Sequence, residues 1–153
     1  MSYSIAPLRT ETELQRCAEL LKLAFNQTHG DAWTDQTALR KLDIFYRTPH
    51  FRGWVVREDG DIVAGCVGNL EAYFTGDYLY LKEMFTHPDH QKRGIGDALM
   101  QRIKTDLAAE NIGMIILFTP TSGHQYPFYQ KRDFQEMDDM RMFIYAPESE
   151  AAV

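Results

Sequence analysis

The stretch from Tyr78 to Thr119 constrains the fold more than any other part of this 153-residue chain. It opens with YLYLKEMFT, a strand-like run in which alternation sets Tyr80, Lys82 and Met84 on one face and Leu81, Glu83 and Phe85 on the other. HPDHQKRG then breaks the pattern, and IGDALMQRIKTDLAAEN follows with Ile95, Leu99, Ile103 and Leu107 four residues apart, the spacing of one helix face. After this helix comes IGMIILFTP, a continuous apolar run of the kind that forms a fully buried central strand. Strand, helix and strand in this order make a βαβ unit with a right-handed crossover, and its two strands lie parallel in one sheet.

The flanking segments extend that sheet. YSIAPLR reads as a first strand, and TETELQRCAELLKLAFNQ as a helix in which Thr10 and Glu13 have capping-box spacing. A second helix, TDQTALRKLDIFYR, starts at Thr34, sets Ala38, Leu42 and Phe45 on one face and is closed by Pro49. FRGWVVRED and DIVAGCVGNLEAYF flank Asp59-Gly60, a hairpin signal. HQYPFYQKRDF reads as a short helix near Pro127, and MDDMRMFIYA as a last strand. The order is βααβββαβαβ, an α/β (α+β) chain with a mixed central sheet wrapped by helices. The length suits one domain over residues 1–153, with 147–153 a polar, fraying tail.

Charge narrows the partners. A formal net charge of −6 disfavours a binder of nucleic acid backbones and favours cationic partners such as amines. Two cysteines, Cys17 and Cys66, form neither a disulfide framework nor a metal motif. MSYSIAPLRTETEL lacks a basic-then-apolar leader, and no apolar run approaches membrane-spanning length, so the expectation is a soluble, cytoplasmic protein without a membrane partner.

QKRGIG sits where a strand passes into a helix. The first turn of a helix carries N–H groups without intrahelical acceptors at its positive end, and glycine lets a bulky anion approach. Lys92 and Arg93 add positive charge. The letters fit neither the Walker loop nor the dinucleotide fingerprint, whose third glycine is replaced by Leu99. On spacing alone, a plain strand-to-helix turn remains an equal reading.

The surroundings are more specific. The pattern P-x-x-Q-x-R-G-I-G-x-x-L from Pro88 to Leu99, after LKEMFTH and before F-Y-x-K-x-x-F, strongly resembles the acetyl-coenzyme A signature of the GNAT N-acetyltransferase superfamily, with Gln91, Gly94 and Gly96 at the signature positions. The likeness runs from about Ser4 to Ala146. It implies a mixed sheet of six to seven strands flanked by four helices, and acetyl-CoA as the acyl donor. It implies that Gln91, Lys92, Arg93, Gly94, Ile95, Gly96, Asp97 and Ala98 surround the pyrophosphate, while Met84, Phe85 and Thr86 pair by backbone with the pantetheine arm. It also makes a homodimer an expectation.

For chemistry, the resemblance places Tyr129 beside the cofactor sulfur as proton donor to the leaving thiolate, with Tyr126 the fallback. Ser122 stands where the family often has Asn and is expected to hydrogen-bond the pantetheine. Asp133 stands where it often has Gly. YLKEMF is similar to the YLEDFF-type segments of diamine acetyltransferases: Glu83 matches the second acid and is the candidate base, while Lys82 replaces the first and argues against a polyamine. Asp31, Asp35, Glu71 and Asp77 fall where the family lines its acceptor cleft, with Trp33 and Tyr73 available for cation–π contacts. His87, His90 and His124 lack metal-ligand spacing and read as loop or cap residues, His124 being an alternative base. The leading expectation is acetyl transfer to a small primary amine. A protein or peptide amine, or a non-catalytic acyl-CoA-binding module, are the alternatives.

Overall fold

Five strands form one sheet in a computed structural model that describes residues 2–147. The strands are β1 (Tyr3–Pro7), β2 (Phe51–Glu58), β3 (Asp61–Glu71), β4 (Tyr78–Thr86) and β5 (Ile115–Ile116), ordered β1-β2-β3-β4-β5. The first four pair antiparallel, and β5 runs parallel to β4, as the βαβ reading requires. β2 and β3 turn through Asp59 and Gly60, both in left-handed backbone, at the expected hairpin position.

Helices α1 (Glu11–His29) and α2 (Asp35–Tyr46) begin where their caps dictate. Glu13 N–H donates to Thr10 Oγ1 at 3.2 Å while Thr10 N–H donates to Glu13 Oε1 at 3.0 Å, closing the capping box. Thr34 and Thr37 make the same reciprocal pair at the start of α2. Leu14, Cys17, Ala18, Leu20 and Leu21 of α1 and Ala38 and Leu42 of α2 pack on Val55, Ile62, Val67 and Phe85 of the sheet, all 5% exposed or less. Helix α3 (Ile95–Ala109) buries the four-residue stripe of Ile95, Leu99, Ile103 and Leu107, each at most 2% exposed. It takes the other sheet face: Trp54, next to Val55 and pointing oppositely, donates from Nε1 to Asp106 of α3 at 2.9 Å.

The sheet departs from the sequence expectations in three ways. Five strands form among the described residues rather than six or seven, because MDDMRMFIYA makes no ladder there; Met137, Met140, Met142, Phe143, Ile144 and Tyr145 are each at least 52% exposed. Strand propensity needs a partner edge before it becomes a strand. The apolar run IGMIILFTP pairs only at Ile115 and Ile116, and Phe118 is 64% exposed, so it is a short edge strand and not a buried central one. The third departure is a β-bulge. Val67 pairs with Glu83 and Gly68 with Leu81, leaving Lys82 as the extra residue of β4. Gly68 belongs here because a Cβ at that position would collide with the Tyr80 carbonyl. The bulge reverses parity, so Leu81 and Glu83 point to opposite faces instead of sharing one. Glu83 lies on the α1/α2 side with Val67 and Phe85.

The chain divides after Phe118 into two compact units. The second holds one short helix, α4 (Gln125–Gln130). Residues 148–153, most of the expected tail, lie outside the described residues.

Candidate active site

After β4, a short 3-10 turn over Pro88–His90 leads to the glycine stretch. Gly94 is the N-cap of α3, with φ 79° and ψ 6°, and makes no side-chain cap. Left-handed backbone costs an ordinary L-residue about 1–2 kcal/mol, which accounts for glycine at this corner. The first intrahelical bond is Ala98 N–H to Gly94 C=O at 3.0 Å. The N–H groups of Ile95 and Gly96 therefore find no acceptor within the helix or from a cap side chain. A Cβ at Gly94 would meet nothing within 4 Å, so the corner is open.

The charges around this corner are partly committed. Arg93 donates to Glu58 Oε1 at 3.2 Å, and His90 Nε2 lies 2.8 Å from Glu58 Oε2, fixing the turn to the end of β2. Lys92 is exposed and also left-handed, with φ 61°. Gln91 donates from Nε2 to the Thr86 carbonyl at 3.3 Å, tying the turn back to the strand. Nδ1 of His90 is buried without a partner while its Nε2 faces Glu58 of β2, and Nδ1 of His87 accepts from Asp89 N–H within the turn. Among the described residues no group of three His, Cys, Asp or Glu side chains is arranged to hold a metal ion.

On its other side this region adjoins an open strand edge. β5 pairs with β4 only at Leu79 and Tyr80, so among the described residues the β5 side of β4 has no ladder partner at Met84, Phe85 and Thr86. Phe85 fills the α1/α2 core, while Met84 points to the α3 face with Cys66.

Glu83 is brought together with residues that the sequence reading had not joined to it. Its Oε1 lies 3.2 Å from Nζ of Lys41 on α2, and its side chain is only 18% exposed. Burial pushes the Glu83 carboxyl above the usual carboxylate range, with the Lys41 and His29 charges opposing the rise and Asp31 adding to it. Lys41 Nζ also stands 5.4 Å from the ring centre of Trp33 and 5.5 Å from that of Phe45. Trp33 is held by Asn26 through two bonds of 2.8 and 2.9 Å, and its Nε1 donates to Asp31 Oδ2 at 3.0 Å. Lys41 escaped the sequence reading, although a signal existed: it sits among Ala38, Leu42 and Phe45, a cation on a face otherwise apolar. Lys82 rests on the Tyr80 ring, 3.2 Å from its centre. Asp35 pairs instead with Lys22, and Tyr73 is 59% exposed against Phe74 and Tyr78. Neither joins Glu83.

In the second unit, Tyr129 of α4 is half-buried, with ring centres of Phe128 and Phe134 at 5.2 and 5.4 Å. The Tyr126 hydroxyl donates to Glu136, which raises its pKa and commits that phenol to a carboxylate. Ser122 and His124 are exposed in the loop before the helix. Asp133 takes φ 65°, the left-handed conformation a glycine would adopt there.

Both cysteines are unreactive: burial pushes the Cys17 thiol up to about 12 and the Cys66 thiol higher still. Among the described residues no helix is long and apolar enough to cross a membrane.

Comparison with solved structures recovers this fold. A possible acetyltransferase from Clostridium difficile 630 superimposes with a TM-score of 0.80 at 17% identity, covering 94% of this chain and 97% of that one. AAC(6')-Iy, in complex with the bisubstrate analogue CoA-S-monomethyl-acetylneamine, gives 0.72 at 15% identity, with 97% and 99% covered. The ribosomal-protein-alanine N-acetyltransferase from Brucella melitensis biovar Abortus 2308 gives 0.74 at 16% identity, with 95% and 99% covered. No curated protein matches the sequence. Residues 49–136, more than half of the chain, match the acetyltransferase (GNAT) domain, and the protein belongs to that family.

Proposed function

We infer that the protein transfers an acetyl group from acetyl-CoA to the primary amine of a small molecule, by direct attack within a ternary complex. The observation that carries this reading is the uncapped, glycine-started end of α3 directly after a strand edge left open at Met84–Thr86. That pairing suits a ligand with a pyrophosphate at one end and an amide-bearing arm at the other: backbone N–H groups along Arg93 to Ala98, short of that of Ala98, which donates to Gly94 C=O, receive the anion, and the strand edge receives the arm. Lys92 and the Gln91-tethered turn support the same end, and Ser122 is the proposed hydrogen-bond partner of the arm. AAC(6')-Iy, of the same fold, has been solved with CoA.

Acetyl-CoA supplies an activated thioester carbonyl. The protein's own part is proton management. An alkylammonium must lose a proton before it is nucleophilic, and Glu83, lifted by burial toward the working pH, is the proposed base. Tyr129 is the proposed donor to the departing thiolate, because Tyr126 is engaged by Glu136. The net charge of −6 suits cationic acceptors over nucleic acid. A cytoplasmic location and a homodimer complete the proposal.

The test is thiol release from acetyl-CoA with a panel of primary amines, aminoglycosides and peptides. Acetyl transfer to a small amine is the expected result. Turnover on peptides alone would make the acceptor a protein, and tight coenzyme A binding without turnover would make the chain a binding module.

A further inference from the structure

The Lys41 ammonium has the surroundings a recognition site gives to a bound cation. Two aromatic rings stand within 6 Å of it, and a largely buried carboxylate lies at 3.2 Å. One wall is braced in advance, since Asn26 and Asp31 fix Trp33 from behind. The occupant itself is not locked in. Lys41 is 31% exposed, and a four-carbon stem lets its head swing to water without moving α2. A second lysine, Lys82, is held nearby in sequence by the bulge and lies over Tyr80, whose register with Asn69 puts it on the Glu83 face.

We propose that Lys41 is a tethered competitor for the acceptor's ammonium site, the box of Glu83, Trp33 and Phe45, and that it selects for acceptors carrying a single positive charge. This rests on reading Glu83 as the base. An incoming ammonium must displace the lysine before its proton can pass to Glu83. The displaced lysine stays within its tether of the box, so each further cation on the acceptor adds repulsion. Lys41 is thus a specificity-determining residue that touches the base and not the reacting carbonyl.

The test uses the whole chain and two probes, n-butylammonium and 1,4-diammoniobutane. Binding is followed by tryptophan fluorescence, since Trp33 lines the box and Trp54 is buried at 3% exposure. Lys41→Met keeps the apolar stem against the rings and is expected to tighten both probes, the dication by about tenfold more than the monocation. In turnover the same variant lowers KM for amines, and its pH limb moves to higher pH because the Lys41 charge that holds the Glu83 carboxyl down is gone. Lys41→Arg keeps a cation in the box and is expected to restore weak, monocation-preferring binding, a rescue that a purely structural role would not give. Unchanged or weaker amine binding in Lys41→Met, or equal gains for both probes, overturns the proposal. The binding arms do not depend on catalysis: if no amine is acetylated, the proposed activity fails while the fluorescence still decides the role of Lys41.

Discussion

Two stretches of the same strand region work with different materials. Beyond the end of β4 the glycine turn offers main-chain N–H groups, and its shape depends on φ at Gly94 and on one carboxylate, Glu58, that ties the turn to β2. At Glu83 the strand offers a side chain, and its ion-pair partner comes from elsewhere: Lys41 of α2, which itself stands beside Phe45 of α2 and Trp33 of the loop before it. A site made of backbone survives most substitutions provided the chain keeps its path. A site made of side chains is altered by any one of them. The contrast predicts that the proposed donor end is robust and the proposed acceptor end readily retuned.

The sharpest way to break this comparison is Glu83→Gln. Removing a general base is expected to lower kcat/KM by roughly 10²–10⁴-fold, with coenzyme A affinity unchanged in a direct titration. With Glu83 as the proposed base, activity is expected to rise with pH as Glu83 ionises, and because burial raises that pKa the rise is expected above the ordinary carboxylate range. A kcat/KM profile against pH checks this, and the variant loses that limb. Next in size is Tyr129→Phe, expected to cut kcat by about 10²-fold at constant KM while its ring stays against Phe128 and Phe134.

Gly94→Ala probes the backbone side. The added methyl meets open space, so its penalty is conformational, about 1–2 kcal/mol, and calorimetry gives the loss of stability. Coenzyme A binding weakens by up to about tenfold if the turn relaxes to relieve it, and amine KM stays unchanged. The smallest effect comes from a residue that neither region uses. Thr10→Ala removes one cap of α1, about 1 kcal/mol, and lowers Tm by roughly 2–4 °C with neither binding step affected.

The two regions also differ in how far they could be read from the chain. The glycine turn is contiguous, so strand, turn and helix signals stand side by side in LKEMFTHPDHQKRGIGDAL. The capping box of α1 and the Asp59-Gly60 hairpin are local in the same way. Glu83 was named from its strand, but Lys41 lies 42 residues earlier and only the packing of α2 on the sheet joins them. The face of Glu83 was misread because alternation cannot count an extra residue. The final strand was misread because propensity describes a segment and says nothing of a vacant edge to receive it. Legibility followed sequence separation.

The bulge at Lys82 has a consequence for descent as well as for geometry. Parity along a strand behaves like a reading frame: a substitution changes one letter, whereas one residue more or less reverses the side on which every later letter is displayed. Were Lys82 kept in an unbroken ladder, Leu81 and Glu83 would share a face and one end of β4 would have to slide, sending either Leu79 and Leu81 or Glu83 and Phe85 to the wrong layer; deleting Lys82 would instead preserve the pairings Gly68–Leu81 and Val67–Glu83. A lineage can therefore revise the residues around Glu83 freely by point change, but it can neither enter nor leave this arrangement that way. The acceptor end is open to gradual retuning inside a frame that only an insertion or deletion can shift.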